Sequence, residues 1–506
     1  MREGISVDDI GKAREERAEK IKKILSVNDN ITAILFTLNI PGKIKDTPLY
    51  RKMHRAGTSE ITRSLKWRKI RFTLIDTAHL VTGSEAYLAV STISRYGSKE
   101  GSGADSAAIK MITAEIEETH PLGRFFDIDV FEKPHNKISS GRGLRKCFLC
   151  GRDAFICARS AAHPVEELLE TIREKGEAWL REYYSWKIAE IACKSLLTEA
   201  ASTPKPGLVD MNNSGSHTDM DFFTFLESSA SLYKTFFKIA QTGYDYSSKP
   251  LPEMLPPLKT IGIAAEKDMY KATDGVNTHK GLIFSLGLLA AAAGYICAKH
   301  EIKLTAETVC SSAGVIIAED TAAYLAKLKE KGEDLNILPE LNPTTGERLF
   351  IEHGIKGARG EAAGGFKSAL KGYSHLRANL SKGRDFNLSL VDTLMRIMED
   401  TQDTNIPGRK DLASLVLINR KAENFNREGG IFRGDRPGAA GKTNAADAHG
   451  AVDAVKALDK LFIEKNLSPG GCADILAMSI FLYFLERDTD PVISSDYGGG
   501  SAFNIV

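Results

Sequence analysis

Cysteine and tryptophan are scarce in this sequence, which has seven cysteines and three tryptophans in 506 residues. So few cysteines cannot form the dense disulfide framework of a small secreted protein, and they fit a reducing setting. The N-terminal segment MREGISVDDIGKAREERAEK is charged from its second residue, so it lacks the apolar core of a signal peptide. The chain has no internal repeat and no low-complexity tract. We therefore expect a cytoplasmic globular protein.

Long apolar runs are scarce as well. One uncharged run of 18 residues, GLIFSLGLLAAAAGYICA, lies between Lys280 and Lys299. That length is at the short end for crossing a bilayer, which needs about 20 apolar residues. Its alanines and glycines suit a helix that neighbours pack closely on all sides. The run predicts a buried core helix, and no membrane partner is expected.

The chain is too long for one hydrophobic core, which predicts two or three domains. Short runs rich in β-branched and aromatic residues (ITAILFTLNI, KIRFTLID, EAYLAV, RFFDIDVF) occur only before residue 180, and long helical patterns such as CADILAMSIFLYFLER follow. The charge changes too, with 30 lysines and arginines against 25 acids up to residue 180 and 37 against 41 beyond it. We predict an α+β domain at 1–182 and an all-α domain at 183–506, joined within the helical run VEELLETIREKGEAWLREYYSW.

Two aspartates alternate with apolar residues in RFFDIDVF. On a strand, Asp127 and Asp129 would point to one face while their neighbours face the core. Two close carboxylates repel each other unless a cation lies between them, and Mg²⁺ prefers such oxygen ligands. Magnesium there would bind a triphosphate and offset the charge of a leaving diphosphate. The alternative is an exposed strand face with two solvated acids.

Four metal-ligand residues occur within the short segment RKCFLCGRDAFICARSAAH. Cys147, Cys150, Cys157 and His163 have the spacing C-x2-C-x6-C-x5-H, which would close a tetrahedral structural zinc site. The alternative is three small buried cysteines and a surface histidine. Four arginines of the region would hold phosphates bidentately: Arg142, Arg145, Arg152 and Arg159.

A basic run extends from Arg51 to Arg71, with eight lysines and arginines and one acid, Glu60. Such a run is either a solvated helix face or a landing surface for an acidic partner or a polyphosphate.

Together these segments resemble the apo-citrate lyase phosphoribosyl-dephospho-CoA transferase family over roughly residues 12–180. The resemblance rests on TLNIPGKIKDTP, TGSEAYLAV, EIEETHPLGRFFDIDVF and RKCFLC with CARSAAH, in this order. It implies attachment of a CoA-derived prosthetic group to a serine of the apo acyl carrier (gamma) subunit of citrate lyase, with release of diphosphate. It also implies magnesium at Asp127 and Asp129. The Asp-x-Asp strand also suggests a fold like that of polymerase-β-like nucleotidyltransferases. In those proteins a Gly-Ser turn closely precedes this strand, whereas Gly83-Ser84 lies far upstream of it here.

The loop STPKPGLVDMNNSGSHTDMDFF contains more polar chemistry than a simple turn requires. Two prolines stiffen it around Lys205, so little entropy is lost in placing that cation beside a phosphate. His217 would move a proton or contact phosphate. Asp210, Asp219 and Asp221 are candidate magnesium ligands, although Asp219 or Asp221 would otherwise cap the helix that follows.

Four further loops have similar chemistry, and together they suggest helix ends that converge on a polyphosphate. GVNTHKG and NLSPGGCADILA each precede a helix, whose free N–H groups favour anions. GARGEAAGGF and EDTQDTNIPGR add charged and amide side chains among glycines. The candidate residues of these loops are Asn277, Thr278, His279, Lys280, Arg359, Glu361, Asp403, Asn405, Arg409, Ser468, Gly470, Gly471 and Asp474.

The five motifs TPKPGLVD, GVNTHKG, RGEA, DTN and NLSPGGCADILA resemble the triphosphoribosyl-dephospho-CoA synthase family over residues 190 to about 485. The resemblance implies that the 2′-hydroxyl of 3′-dephospho-CoA displaces adenine from the ribose of ATP. The loop STPKPGLVDMNNSGSHTDMDFF would then help to hold ATP and its magnesium. Carboxylates would stabilise the oxocarbenium-like transition state, with Glu361 and Asp403 as the preferred base or metal ligand. After DTN the family has Arg-Gly-Gly, whereas this chain has IPGRKD.

The two resemblances name consecutive steps of one pathway and predict a bifunctional transferase acting on nucleotides. Three alternatives differ in client or class. The same chemistry would serve the carrier of malonate decarboxylase. A zinc-dependent nucleic-acid-binding module is disfavoured by a net charge of +1 and by the lack of aromatic-basic alternation. The helical half would otherwise be a magnesium-dependent glycohydrolase.

Overall fold

The computed structural model describes residues 6–92, 105–141, 143, 145–335, 344–403, 406, 410–433 and 445–489. The chain divides into two compact units, one extending to Glu182 and the other from Tyr183 to Thr489. The boundary lies within one long helix.

The first unit contains an antiparallel sheet with the strand order β2-β3-β1-β4-β5. Four of its strands form where the sequence predicts them, because β-branched and aromatic residues suit a pleated, half-buried surface. The strands are β1 (Ile31–Leu38), β2 (Phe72–Leu80), β3 (Gly83–Ser91), β4 (Phe126–Lys133) and β5 (Asn136–Lys137).

Helices pack on both faces of this sheet. Leu35 and Tyr87 share one face and form an apolar core with Ile21 of the first helix. On the other face the ring of Phe36 stacks on His54 with centroids 4.6 Å apart. The α+β prediction for this half is confirmed. The helices of the first unit are α1 (Val7–Leu25), α2 (Pro48–Trp67), α3 (Ser106–Thr119), α4 (Ala154–Arg159) and the start of α5 (Val165–Ala201).

The second unit is helical, and its described residues include no strand, as the sequence predicts. After α5 its helices are α6 (Phe222–Ser231), α7 (Tyr233–Asp245), α8 (Leu255–Ala272), α9 (Lys280–Ala298), α10 (Ala306–Leu335), α11 (Thr345–His353), α12 (Gly357–Ala363), α13 (Lys367–Ser381), α14 (Phe386–Met398), α15 (Leu412–Arg427), α16 (Ala445–Glu464) and α17 (Gly470–Asp488).

The apolar run lies in α9, which crosses α7 at backbone contact. A Cβ atom added to Gly243 would lie 2.0 Å from the carbonyl oxygen of Ala291, and one added to Gly294 would lie 2.1 Å from that of Ala240. Only glycine permits this approach, which explains the small residues of the run. The prediction of a buried core helix is confirmed.

Among the described residues, two helices are long and apolar enough to reach across a bilayer, namely α9 and the part of α10 from Ala306 to Glu330. The most apolar window of α9 is 78% buried inside the structure, and that of α10 is 39% buried. Core helices pass the same test of length and composition, so this pair is weak evidence for a membrane span.

Candidate active sites of the two units

Strand β4 separates its apolar and acidic residues onto two faces. Phe126, Ile128 and Val130 are fully buried, whereas Asp127 and Asp129 point to the opposite side. This alternation follows from the two-residue period of a strand. The structure therefore brings the two predicted carboxylates onto one face.

The two aspartates line a cavity of about 640 Å³. The size is within the range of pockets that hold small ligands, and acidic and basic side chains both surround it. Such a lining suits a polyphosphate together with a hard cation. Its charged residues are Lys110, Glu117, Glu118, Arg124, Asp127, Asp129, Lys137, Arg145 and Lys146.

Arg145 links the acids of this cavity. Its guanidinium lies 2.6 Å from Glu117 and 3.2 Å from Asp127, and it donates a 3.0 Å hydrogen bond to the carbonyl of Phe126. Asp129 forms an ion pair with Lys137. The cations of the site therefore balance its carboxylates.

Burial shifts the protonation equilibria of the cavity. It raises the pKa of Glu117, and it raises the pKa of Asp129 with a further contribution from the charge of Asp127. Burial also lowers the pKa of Lys110, whose ammonium donates a 2.7 Å hydrogen bond to the carbonyl of Ile128. A divalent cation among these carboxylates would reverse the shift of the acids, because it favours their charged form.

The four predicted zinc ligands come together beside this region. The ligand atoms of Cys147, Cys150, Cys157 and His163 all lie within 4.8 Å of one another. Hydrogen bonds from Arg152, which has the larger effect, and from His163 lower the pKa of Cys150 to about 5. Their binding of zinc stays a prediction.

The basic run forms most of α2 and the turn after it. Trp67 is 83% exposed among Lys66, Lys69 and Arg71, which are exposed as well. This end of the run therefore presents a large aromatic ring among cations. Three arginines of the run contact acids of the same unit, and these pairs are Arg51–Asp46, Arg63–Glu60 and Arg68–Glu115.

In the second unit, Lys205 is fully buried within its stiff loop. Its ammonium lies 2.5 Å from Oε1 of Glu199 and 2.8 Å from the carbonyl oxygen of the same residue. Burial raises the pKa of Glu199, and the neighbouring ammonium opposes that shift. Lys205 thus already has an anionic partner, and its contact with phosphate stays a prediction.

Asp210 and Asp459 fix the conformation of the same loop. Asp459, on α16, accepts a 2.9 Å hydrogen bond from the N–H of Gly207 and another of 2.9 Å from the amide of Asn213. The donors to Asp210 are the hydroxyl of Thr203 and the main-chain N–H groups of Lys205, Asn212 and Asn213. With all of these donors, Asp210 serves the loop itself in this structure, and its binding of substrate stays a prediction.

His217 and His279 lie close to other predicted site residues. His217 Nε2 is 2.8 Å from the hydroxyl of Ser468, which just precedes Gly470 at the start of α17. His279 is buried, and burial together with the charge of Lys205 lowers its pKa to about 3. The loop that contains Lys205 and His217, the start of α9 and the start of α17 therefore lie close together.

The start of α9 also orders Asn277 and Lys280. Asn277 accepts a 3.3 Å hydrogen bond from the N–H of Lys280. The ammonium of Lys280 lies 3.1 Å from Glu266 on α8.

Asp403 lies against the first turn of α17. It accepts a 3.1 Å hydrogen bond from the N–H of Cys472, and a Cβ atom on Gly471 would lie 2.8 Å from its Oδ1. The free N–H groups of a helix start favour a negative charge in this position. The glycine in this first turn therefore leaves room for the carboxylate.

Asp474 brings a second carboxylate to the same place. Its Oδ2 would lie 2.5 Å from a Cβ atom on Gly281, so α9 approaches it closely only because that residue is glycine. Burial raises the pKa of Asp474 well above its usual value, and the charges of Asp403 and Glu199 contribute. Three carboxylates of one cluster thus resist being charged together.

The RGEA segment forms α12 and has other partners. Arg359 lies 3.1 Å from Asp320 of α10, with its guanidinium over the ring of Tyr324 at 4.5 Å. Glu361 accepts hydrogen bonds of 2.6 and 3.1 Å from the N–H and hydroxyl of Ser368, at the start of α13. These contacts explain the polar residues by local structure, and their binding of substrate stays a prediction.

Asp219 and Asp221, two further acids of the loop that contains His217, have contacts of their own. Asp221 caps α6 by accepting a 2.9 Å hydrogen bond from the N–H of Thr224, which is the alternative role predicted for it. Asp219 is 62% exposed and lies 3.6 Å from Nδ1 of His217. Asn405, and also Arg409 and Arg142, lie outside the described residues.

Glu117 and Glu199 are among the charged residues of these sites that were not singled out from the sequence. Glu117 lies in EIEETHPLGR, ten residues before Asp127, and Glu199 ends a helix six residues before Lys205. Both are glutamates in helical stretches, where a solvated helix face is the default expectation. Only their burial beside a cation distinguishes them.

The comparisons with known proteins match each unit to a different family. Residues 5–179 match the family model CitX, apo-citrate lyase phosphoribosyl-dephospho-CoA transferase. Residues 185–491 match the family model CitG, ATP:dephospho-CoA triphosphoribosyl transferase.

Curated relatives match the chain over its length or over its second half. Protein CitXG of Haemophilus influenzae is 30% identical over 94% of this chain and 96% of its own length. Protein CitXG of Leuconostoc mesenteroides subsp. cremoris is 30% identical over 93% of this chain and 95% of its own. The 2-(5''-triphosphoribosyl)-3'-dephosphocoenzyme-A synthase of Escherichia fergusonii is 36% identical over 60% of this chain and 92% of its own. The chain therefore belongs to the CitX family through its first half and to the CitG family through its second, as a transferase of the CitXG type.

Proposed function

We propose that this transferase makes and then attaches the prosthetic group of citrate lyase. Residues 183–506 join ATP to 3′-dephospho-CoA and release adenine. Residues 1–182 transfer the resulting triphosphoribosyl-dephospho-CoA to a serine of the apo acyl carrier (gamma) subunit and release diphosphate. The observation that carries this proposal is the match of two families, acting on consecutive intermediates, to two compact units of one chain.

The adenine-displacing site is the cluster around the first turn of α17. Asp403, Asp474 and Glu199 offer oxygen ligands, which suit Mg²⁺, and they are close enough to influence one another's charge. When bound, magnesium would neutralise phosphate charge on ATP. A carboxylate of this cluster takes the proton from the attacking 2′-hydroxyl, and the others stabilise positive charge on the ribose ring.

His279 offers a neutral hydrogen-bond donor in this cluster. Thr278 donates to the hydroxyl of Ser228 at 2.7 Å, and we assign that hydroxyl as the donor to Nδ1 of His279, also at 2.7 Å. The proton of the imidazole is then on Nε2, which is buried and has no hydrogen-bond partner among the described residues. With its pKa lowered to about 3, the ring is neutral at physiological pH. Nε2–H donates to the departing adenine or to a phosphate oxygen.

The other candidate residues of the second unit surround the nucleotide in this proposal. Lys205 either exchanges Glu199 for the triphosphate or fixes the loop while the helix starts bind it. The remaining contacts to ATP and dephospho-CoA are assigned to Asp210, His217, Asn277, Lys280, Arg359, Asn405, Ser468 and Gly470, with Asp219, Asp221 and Glu361 as further candidate acids.

The transfer site is the cavity of the first unit. The serine hydroxyl of the carrier attacks the ribose-linked phosphorus, and the bond to the diphosphate breaks. Asp127 and Asp129 would hold magnesium, and Arg124, Arg145 and the cavity lysines surround the leaving diphosphate. Glu117 takes the serine proton, a role that its raised pKa supports.

The kinship of the first unit's fold and the location of the protein in the cell belong to the same proposal. The Asp-x-Asp pair on a strand of an antiparallel sheet supports kinship with nucleotidyltransferases, and Gly83 and Ser84 begin β3, two strands away from β4. A cytoplasmic location is supported by cysteines that are all free thiols.

One assay tests the proposal. The purified chain is incubated with ATP, magnesium and 3′-dephospho-CoA, and products are identified by mass spectrometry before and after addition of apo carrier. We expect free adenine, a triphosphoribosyl adduct, and then a mass increase on the citrate lyase carrier. The carrier of malonate decarboxylase is the control client. Free ribose triphosphate without an adduct would make the second unit a glycohydrolase.

A further inference from the structure

The cysteine cluster has the dimensions of a tetrahedral metal site. In a site with three sulfur ligands and one nitrogen ligand, zinc lies about 2.3 Å from sulfur and about 2.0 Å from nitrogen, which separates the ligand atoms by about 3.5–3.8 Å. The Sγ atoms of Cys150 and Cys157 are 3.3 Å apart, and all four ligand atoms lie within 4.8 Å of one another. The widest of these separations would have to close by up to about 1 Å to complete the tetrahedron.

The backbone around the first two cysteines forms a tight turn that presents both sulfurs to one side. The N–H of Leu149 donates to Sγ of Cys147 at 3.5 Å, and the N–H of Cys147 donates to the carbonyl of Arg152 at 2.7 Å. Gly151 has a φ of +66°, a conformation that glycine adopts without strain. The turn therefore fixes two ligands before any metal binds.

The surroundings suit a site with net negative charge. Three thiolates and a neutral imidazole around Zn²⁺ would leave a charge of about −1. The guanidinium of Arg152 lies 3.4 Å from Sγ of Cys150 and offsets that charge. Nε2 of His163 is buried and has no hydrogen-bond partner among the described residues, so it is available to a metal.

Arg145 lies at the base of this turn. The N–H of Ala154 donates to the carbonyl of Arg145 at 2.8 Å, and Lys146 forms a 3.0 Å ion pair with Asp153. The side chain of Arg145 reaches Glu117 and Asp127 in the cavity. We propose that Cys147, Cys150, Cys157 and His163 bind a structural Zn²⁺ ion, which positions Arg145 for the carrier-loading site.

The metal content of the purified chain tests the proposed zinc site without an activity assay. The full chain, purified under reducing conditions without chelator, should contain one zinc ion per chain, and Co²⁺ in its place should give the absorption of a tetrahedral thiolate site. Cys150→Ser and His163→Ala should lose the metal, whereas Cys193→Ser should keep it, because that buried cysteine lies on α5 and contacts Ser229. A reduced wild-type chain that takes up neither metal would overturn the proposal, as would a Cys150–Cys157 disulfide in the native protein.

The link to Arg145 rests on the proposed function and needs a separate measurement. Zinc removal from the wild-type chain by a chelator, with free magnesium restored, should slow carrier loading from pre-made intermediate about tenfold or more, since charge-assisted hydrogen bonds of Arg145 are lost. Arg145→Lys should slow loading similarly while retaining zinc, and adenine release should continue in both. Zinc-free protein that loads at the parent rate would contradict the link and leave the metal site standing. Absence of loading in the untreated parent would instead contradict the proposed function.

Discussion

The ammonium nitrogen of Lys205 lies 2.5 Å from Oε1 of Glu199, and both side chains are almost completely buried. A lysine between two prolines in a polar loop would ordinarily extend into solvent. Here the loop folds back on the end of α5, and the cation and its partner are withdrawn from water together. The pair therefore joins the two segments that enclose the proposed ATP site.

Removing one member of this pair should cost stability and activity together. Lys205→Met or Glu199→Gln leaves a buried group without its partner, which typically costs about 3–5 kcal/mol of the free energy of unfolding. The double variant should regain most of that loss, because no charge is left uncompensated. Urea unfolding measures the stability, and adenine release from ATP measures the activity.

The double variant separates structure from function. If the pair takes part in the reaction, the double variant unfolds near the parent midpoint but uses ATP about tenfold less well or worse, in line with the loss of a charge-assisted contact. Parent-like efficiency with ATP in a stable double variant would show that Lys205 has only a structural role.

We expect Asp474 to lower the free energy of unfolding at neutral pH while it serves adenine release. Its pKa is raised in the folded chain, so the folded state holds a proton that the unfolded state loses above pH 3.8, the usual value of the carboxyl. The free energy of unfolding therefore falls as pH rises through that window and stays lower above the folded pKa. Asp474→Asn should raise Tm at pH 7, lose this advantage near pH 4, and abolish adenine release. A variant less stable than the parent at pH 7 would contradict the raised pKa.

The α7–α9 crossing predicts opposite effects for two glycine-to-alanine changes. In an exposed helix interior this change usually stabilises a protein by about 0.5–1 kcal/mol. Gly262→Ala on α8 should do so, because an added Cβ atom there meets nothing within 4 Å. Gly294→Ala should instead destabilise by about 1–3 kcal/mol, since its Cβ atom would collide with the carbonyl of Ala240. Equal stabilisation in urea unfolding would refute the close crossing.

The basic end of α2 is expected to steer the acidic carrier. We expect Lys66→Glu, Lys69→Glu and Arg71→Glu together to slow carrier loading at low salt, and added salt to narrow the difference, because the Debye length is only about 8 Å at physiological ionic strength. Adenine release should be unchanged. The matched control reverses three exposed lysines of α1, namely Lys12, Lys22 and Lys23. Equal loading rates for both triple variants would identify the run as a solvated face.

The secondary structure was largely predictable from local patterns. The alternation of Asp127 and Asp129 with apolar neighbours has the two-residue period of a strand, and the length and alanine content of the uncharged run favour a buried helix. The helical second half followed in the same way. The close contact of Gly294 with α7 was not predictable, because a glycine in a helix gives no sign of which backbone approaches it.

The sites were predictable in kind and less so in detail. Polar loops before helices predict where ligands would gather, and in the structure His217 lies beside Ser468, just before α17. Burial is a property of the whole fold, so the sequence could not show that Lys205 is enclosed or that Glu199 faces it. Hydrogen bonds between side chain and backbone could not be predicted from the sequence either. The bond from the N–H of Ser368, at the start of α13, to Glu361 is an example.

If two separable sites carry out the two consecutive transfers, a crossed pair of variants should separate the two activities. Carrier loading from pre-made intermediate and adenine release from ATP are measured for Asp127→Asn with Asp129→Asn, and for Asp403→Asn, after circular dichroism has shown that both are folded. We predict that the first variant releases adenine at the parent rate but does not load the carrier, and that the second loads the carrier but releases no adenine. Loss of both activities in either folded variant would contradict the account.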